Sequence, residues 1–518
     1  MRTVDQSIYT GYFQPKWATE DGYVPEYPIP ANRPDPIGIA KLDARAIPGI
    51  GSMQRYGMAI SKPYYAELEI YASARMQELK REILEMIPSD ALNELAGPDT
   101  DDTDPNGNAY DDKGTPLEAP VADDILNIDS PVQLAETLFE KMGIGKGRVL
   151  KTTKSGKVAV DKEQLQKLTL EHPIIPKILE YRMFKKALTT YITKLPEVAI
   201  LHKATPNSRC HICGRKHYED VYRVHTTLLT TRAATGRLAS KSPNLQNIPA
   251  RTELGRMIRA GFIAELGYLI AQADLSQAEL RLLGHRAQES KIKEIYRQKL
   301  DIHKATAKEA FNLASIDDVT DEQRGPCKNV NFGVVYGLAA EGLYDLMVLT
   351  YAVARKPLPD WVTIDWCEEF IHRWFRVFPG VQAYLDLEHS RAYRYGCVHT
   401  EYGRIRPIPE VFSVFKHIRR AGERQAGNAG IQGTCADIMR VIIAVLDTYY
   451  NIYQRSILQE SQISYLLMSI HDEVLTETPE DRAEQTLKAQ IQLIEGVSEF
   501  WSTIPMLADG KILEYWKK

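Results

Sequence analysis

Cysteine is scarce, with six in 518 residues, and the six are mostly unpaired in spacing. That excludes a disulfide-stapled secreted scaffold and points to a reducing compartment. Net charge is small as well: 64 Lys and Arg against 68 Asp and Glu leave −4 at pH 7, with a pI of about 6.4. A uniformly basic surface is thereby excluded, and any polyanionic partner must be met by basic residues gathered on one face. No run of about 18 apolar residues occurs. The start, MRTVDQSIYTGYFQP, has neither an apolar signal core nor an Arg-rich amphipathic pattern. A soluble, cytoplasmic, monomeric protein with no membrane partner is expected. With 44% hydrophobic and 25% charged residues, the chain is ordinary globular material, too long for one hydrophobic core, so several lobes are expected.

Residues 1–45 are rich in Pro and aromatics (YVPEYPIPANRPDPIG), a composition suited to an extended arm lying on another surface. Residues 46–125 form a helical segment, in which Pro63 to Ile87 repeats apolar residues at helical spacing and predicts one long amphipathic helix. Its later part, 97–124, holds nine acidic residues and one Lys and reads as a solvated loop. Asp102, Asp104, Asn106 and Gly107 fit half of a calcium loop there, but Lys113 stands where a bidentate Glu is required.

A helix is predicted from Ser130 to Met142. Farther on, Arg182, Lys185 and Lys186 sit one turn apart on one helix face, either gripping phosphates or forming a solvated basic face. In SRCHICGRKH, Cys210 and Cys213 have the spacing of a zinc knuckle, with Gly214 following and His217 as a third ligand. A fourth ligand would come from His202, His211, Glu219 or Asp220; the competing reading is a surface hairpin with two free thiols.

Carboxylates in separate strand-like runs carry the chemistry. In YLIAQADLSQAELRLLGH an apolar strand ends at Asp274, and a helix follows whose first turns carry Gln277, Glu279 and Arg281. ISYLLMSIHDEVLTET places His471, Asp472 and Glu473 at the tip of a hairpin. Two acids meeting at strand ends need a cation to stay ionised together, and oxygen ligands favour Mg²⁺. A pair of such ions about 4 Å apart can clamp the attacking and leaving oxygens of a phosphoryl displacement. In RGPCKNVNFGVVYGLAAEGL, Arg324, Lys328, Phe332 and Tyr336 recur every four residues, so cations and then aromatics follow one helix face. That order suits a nucleoside triphosphate lying along the helix.

These stretches resemble the polymerase region of the family A DNA polymerases. DLSQAELR resembles the family's motif A, RGPCKNVNFGVVYG its motif B and HDEV its motif C, in that order. ATGRLASKSPNLQNIPAR (234–251), DIHKATA (301–307), FPGVQAYL (378–385), YGRIRPIP (402–409) and ERQAGNAGIQGTCADIMR (423–440) are also family-like. The resemblance implies an α/β (α+β) right-hand fold with an antiparallel palm sheet, helical fingers and a helical thumb, and no 3′–5′ exonuclease domain. The thumb is expected over 126–225 with a Cys/His insertion at about 202–222. Palm is expected over 226–285 and 401–518, fingers over 286–400.

It implies a DNA-directed DNA polymerase whose partners are primer–template DNA and dNTPs, with a separate exonuclease or other replication proteins as further candidates. Asp274 and Asp472 would bind two Mg²⁺ ions, Mn²⁺ being able to substitute, while Glu473 and His471 support the primer end. Glu279 would fill the space a ribose 2′-hydroxyl needs. Arg324 would hold the triphosphate and Lys328 neutralise it and protonate the departing pyrophosphate. Phe332 implies discrimination by the 3′-hydroxyl; Gln277 and His303 complete the nucleotide site. Tyr336 with Gly337 would mark the templating base. Arg237, Asn244, Gln246, Arg251, Arg424, Asn428 and Gln432 would touch the duplex near the insertion site, with Arg182 and Lys186 on the DNA backbone from the thumb.

Three departures stand out. Gly325 and Pro326 interrupt motif B and predict that its helix starts there, leaving Arg324 outside its N-terminus. Leu275 and Ala278 replace bulkier residues beside the nucleotide. The Cys210 segment and 350–361 look like insertions. A single-subunit RNA polymerase would lack Glu279, and a catalytically dead DNA-binding scaffold would not need Asp274, Lys328 and Asp472.

Overall fold

The computed structural model describes residues 31–91, 126–147, 150–153, 156–333, 336–354, 356–499 and 501–517. Residues 1–30 of the Pro-rich arm and the whole acidic loop at 97–124, with its half calcium loop, lie outside them. The chain divides into two compact units. One comprises Met1–Tyr65, Leu195–Ala340 and Glu368–Lys518, the other Ala66–Lys194 and Glu341–Cys367. The Cys/His segment belongs to the first.

The described strands of the first unit are β1 (Met58–Ile60), β2 (Ile200–His202), β3 (Val221–Val224), β4 (Thr227–Leu229), β5 (Ala239–Lys241), β6 (Tyr268–Leu275), β7 (Cys397–His399), β8 (Ile405–Pro407), β9 (Tyr465–Ile470), β10 (Glu473–Pro479) and β11 (Ala508–Leu513). The sheet that matters for function has the order β11-β6-β10-β9 and is antiparallel throughout, as expected for a palm. Every residue of β9 and β10 is buried. Covering on both faces explains why β9 reads as the unbroken apolar run YLLMSI rather than an alternation. Helix Ala483–Gly496 packs on β6 and β11, and helix Pro36–Tyr56 on β9 and on the long helix Lys416–Asp447. Each Leu or Ile closed off in this way contributes roughly 1.5–3 kcal/mol.

A window of the helical run Lys416–Ile457 has mean hydropathy 1.5, enough by composition to cross a membrane, yet 83% of that window is buried inside the protein. The helix supplies core: Ile438, Val441, Ile442, Ile443 and Leu446 are almost fully enclosed.

The second unit is helical. The helix read from Pro63 to Ile87 is found as Lys62–Glu85, most of it in this unit. The Ser130 start is confirmed by its hydroxyl accepting from Gln133 N–H. Leu79, Ile83, Leu134, Leu138, Leu165 and Ile178 are buried, while Arg75 ties Glu78, Glu82 and Glu180 together at the surface.

Motif B corrects the sequence expectation. Its helix runs Asp321–Gly333 with Pro326 inside it, so Arg324 lies within the first turn and not outside the helix. The start is set by TDEQ at 320–323, a capping box: Thr320 Oγ1 accepts from Gln323 N–H at 3.3 Å and Gln323 Oε1 accepts from Thr320 N–H at 3.1 Å. Asp321 and Glu322 add favourable charge at the positive end. Pro326 forfeits one backbone bond. Gly325 before it, lacking a Cβ, relieves the side-chain part of the clash that disfavours a pre-proline residue in the helix. Tyr336 lies beyond Gly333 in a short turn, so the four-residue repeat shares this helix only through Arg324, Lys328 and Phe332.

Candidate active site

Strand β6 delivers Asp274 near the end of the central sheet, and the register decides what it meets. Glu473 is its partner on β10 and Asp509 its partner on β11. His471 and Asp472 form the tight turn between β9 and β10, because Ile470 pairs directly with Glu473. His471 adopts the left-handed conformation, φ 57°, uncommon for non-Gly residues but one that His, like Asn and Asp, adopts more readily than most. The turn leaves both side chains exposed. The Leu275 N–H donates to the Asp472 carbonyl at 3.0 Å, which fixes the two aspartate-bearing strand ends side by side. The donor set is carboxylate oxygen alone, fitting a hard divalent cation such as Mg²⁺ rather than a thiophilic metal.

Glu473 does not share that exposure. It is 1% exposed and accepts a hydrogen bond from the Trp516 indole at 3.0 Å, so it braces the floor beneath the aspartates. Arg259 stacks on the Trp516 ring at 3.9 Å.

After Leu275 the chain turns sharply into helix Ala278–Arg286. Gln277 caps it in the left-handed region, φ 53°, and its amide oxygen accepts from the Tyr296 hydroxyl at 2.8 Å. Arg281 braces the elbow by donating to the Ser276 and Pro505 carbonyls at 2.8 and 2.9 Å. Glu279 thus emerges in the first turn with a fixed backbone. One of its oxygens accepts from Arg237 and the other from the Tyr336 hydroxyl, to which Gln432 Nε2 donates at 3.0 Å. Burial, and then Glu279 itself, push the Tyr336 hydroxyl pKa well up, so Tyr336 stays a donor. Arg237, Gln246, Glu279, Cys435, His471 and Asp472 line one cleft. Gln246 is anchored there by donating to the Ser469 carbonyl at 2.9 Å.

On the motif B side Lys328 is exposed. Arg324 is paired with Asp301 at 2.9 Å, and Asp301 caps helix Ile302–Ala310 through the His303 and Lys304 N–H groups. Burial pushes the Asp301 carboxyl up, but Arg324 and the two N–H groups outweigh it and hold it below its usual value. His303 is buried, with Asn331 Nδ2 at 3.0 Å from its Nδ1. Burial drives its pKa down to about 4, with Arg324 and Lys328 adding to the effect and Asp301 opposing it.

The residues assigned to the duplex fall into two groups. Arg251 and Arg424 are exposed. The Oδ1 atoms of Asn244 and Asn428 are buried and find no hydrogen-bond partner among the described residues, which leaves each amide with unspent capacity. Gly337 has φ 73°, and a Cβ there would stand 2.2 Å from Arg424 Cγ. In the second unit Lys186 is exposed, Lys185 pairs with Asp129, and Arg182 is spent on the Val160 carbonyl.

Several supports were not read from the sequence. Trp516 gives no signal in the polar tail LEYWKK. Asn331, which joins His303, Thr306 and the Trp374 indole, could have been found as the residue one turn after Lys328 on the same helix. Arg215 and Arg223 are both fully buried, facing Glu265 and Glu477.

Cys210, Cys213 and His217 do converge, and His202 of β2 joins them; all four are buried, with their ligand atoms within 4.8 Å of one another. Of the other fourth-ligand candidates, His211 and Glu219 are exposed and Asp220 is engaged with Lys203 and the Ala204 N–H. Burial pushes the Cys213 thiol up to about 11. Burial, helped by Arg223, His225 and His217, drives His202 down to about 3.

A model of the family described as DNA polymerase family A matches residues 117–518. DNA polymerase I of Caldicellulosiruptor bescii is 37% identical over 376 residues, covering 72% of this chain and 39% of that protein. The thermostable DNA polymerase I of Thermus aquaticus is 34% identical over 390 residues, covering 75% and 42%. The chain spans less than half the length of these curated relatives. Among solved structures, the POL domain of Pol1 from M. smegmatis, in complex with DNA primer-template and dNTP, aligns with a TM-score of 0.69 and 26% identity over 92% of this chain and 72% of that one.

Proposed function

The chain belongs to DNA polymerase family A, and from that membership we propose that it extends the 3′-hydroxyl of a DNA primer with deoxynucleoside triphosphates on a DNA template. The observation that carries the reading is the pairing of β6 with the β9–β10 hairpin: Glu473 stands opposite Asp274 and the Leu275 N–H donates to the Asp472 carbonyl, so both aspartates lie at adjoining strand ends, with Asp472 and Glu279 lining one cleft.

Asp274 and Asp472 would hold two Mg²⁺ ions, or Mn²⁺ in their place. When bound, these supply charge stabilisation to the attacking and leaving oxygens of an in-line phosphoryl displacement. The protein's own residues do the rest. Lys328 neutralises the triphosphate and hands a proton to the departing pyrophosphate. Arg324 exchanges Asp301 for the incoming phosphates, one anion for another. Glu279, fixed by Arg237 and Tyr336, fills the space of a ribose 2′-hydroxyl, and Phe332 discriminates by the 3′-hydroxyl. Gln246 and the amides of Asn244 and Asn428, with hydrogen-bonding capacity to spare, read features common to all base pairs without sequence preference. The reading includes synthesis without intrinsic 3′–5′ proofreading.

Extension of a labelled primer tests it, with dNTPs or rNTPs and Mg²⁺, for the native chain beside Asp472→Ala. Extension by dNTPs alone, lost in the variant while a mismatched 3′ end stays uncut, supports every part. No extension by folded native protein overturns the activity, and trimming of the mismatch overturns the proofreading clause.

A further inference from the structure

The Cys/His cluster lies outside the polymerase chemistry just described, and its geometry is that of a closed metal site. Cys210 and Cys213 sit on a knuckle in which Cys210 N–H donates to the Arg215 carbonyl at 2.7 Å and Gly214 N–H to the Cys210 carbonyl at 2.8 Å. This turns both sulfurs inward. Cys213 Sγ lies 3.0 Å from His217 Nε2, and Cys210 Sγ 3.5 Å from His202 Nδ1. Tetrahedral zinc, with bonds of about 2.0–2.3 Å, places its ligand atoms about 3.3–3.8 Å apart. Those two contacts lie near that spacing and all four ligand atoms fall within 4.8 Å of one another, so drawing them in by about 1 Å surrounds such an ion.

The outward-facing nitrogens are also committed. His217 Nδ1 lies 2.9 Å from the Glu265 carboxylate, and His202 Nε2 lies 3.0 Å from His225 Nε2, whose Nδ1 is 2.9 Å from the Gln54 carbonyl. Metal-bound imidazoles are oriented in this way, the far N–H given to a carboxylate or carbonyl so that the near nitrogen keeps its lone pair. Both cysteines are free of disulfide. Two thiolates and two neutral imidazoles balance one divalent ion.

We propose that His202, Cys210, Cys213 and His217 bind one structural Zn²⁺ ion that fastens the Cys210–His217 knuckle to β2 and to Glu265. The soft S₂N₂ donor set selects zinc over the hard cations suited to Asp274 and Asp472. All four positions are filled by protein, so no open coordination site is left for catalysis. The anchor runs on into the central sheet: Glu265 is held by Arg223 and Arg215, which also grip Glu477 on β10. Zinc therefore stiffens the base of the strand whose first residue is Glu473.

Metal analysis of the purified full chain tests this, after gel filtration without chelator. The expected result is about one zinc per chain, retained in Asp472→Ala and reduced at least fivefold in Cys210→Ser/Cys213→Ser. Because that double variant risks misfolding, His217→Cys serves as a second variant that keeps four ligands and is expected to keep the zinc. Replacement by Co²⁺ is expected to give the visible absorption of a tetrahedral thiolate site in the native chain. Absence of zinc from folded native protein, a Cys210–Cys213 disulfide found in it by mass, or zinc content unchanged in the double variant would each overturn the proposal.

Discussion

The Tyr336 hydroxyl donates to the carboxylate of Glu279, and Arg237 takes that carboxylate's other oxygen. An exposed glutamate would sample several rotamers, but this one has both oxygens committed and its backbone fixed by the Gln277 elbow. A wall excludes a hydroxyl group only if it cannot swing aside, so on the proposed reading, in which Glu279 fills the space of a ribose 2′-hydroxyl, discrimination would depend on the two partners as well as on Glu279.

Glu279→Ala is therefore expected to raise the kcat/KM for rNTPs relative to dNTPs at least tenfold, about 1.4 kcal/mol of transition-state discrimination. Tyr336→Phe keeps the ring, and Arg237 still holds one oxygen, so a smaller rise is expected. Single-nucleotide incorporation with matched dNTP and rNTP reads both. An Ala variant as selective as the native chain would place the wall elsewhere.

Gly337 offers a test of backbone rather than charge. Its φ of 73° disfavours any side chain, and a Cβ there would stand 2.2 Å from Arg424 Cγ. Gly337→Ala costs about 1–2 kcal/mol in backbone strain alone, and Arg424 must move as well. Because the position is exposed, the cost should fall on the site and not on the core. Incorporation is expected to slow at least tenfold with the melting temperature nearly unchanged; a large fall in melting temperature at normal rate would contradict this.

Much of this was legible because the key residues sit where local pattern and chemistry coincide. Asp274 ends an apolar strand and HDEV interrupts two, so the strand ends and hairpin followed from periodicity alone. The motif B helix starts earlier than Pro326 suggests because the reciprocal caps at Thr320 and Gln323 in TDEQ fix its N-terminus. The Glu279–Tyr336 bond, the Trp516 support of Glu473 and the choice of His202 over three other ligands depend on which distant segments fold together, and no local pattern encodes that. The Arg215 and Arg223 cluster is hidden for a different reason: Arg215 stands in the polar stretch CGRKH and reads as surface, Arg223 is a lone charge in the strand VYRV, and only the fold brings both to the buried Glu477.

That cluster has a measurable energetic weight. Arg215 and Arg223 are fully enclosed with Glu265 and Glu477, and Arg215 also stacks on Tyr465 at 3.8 Å. Removing one member of a buried ionic set leaves an uncompensated charge, which costs about 3–5 kcal/mol. Glu477→Gln is expected to lower the melting temperature by roughly 3–5 °C, read by circular dichroism. A shift under about 2 °C would mean that the guanidinium groups find other partners.

His303 gives the protein an acid-sensitive term whose sign can be worked out. Its ordinary pKa is 6.5, and in the folded chain burial holds it at about 4, with Arg324 and Lys328 pressing it down and Asp301 only partly opposing. Above pH 6.5 it is neutral whether folded or unfolded, and its contribution is fully present. Between 6.5 and 4 the unfolded chain takes up a proton that the native chain refuses, so stability falls with pH across that window. The loss on going from pH 7.5 to 4.5 should be on the order of 2–3 kcal/mol from this group. His303→Gln removes the titration and lets a side-chain oxygen accept from Asn331 in place of Nδ1. Urea unfolding of both proteins at the two pH values separates this term from the carboxylates, which respond alike in each. The native chain is expected to lose more stability than the variant, and equal losses would show that His303 takes up its proton as readily folded as unfolded.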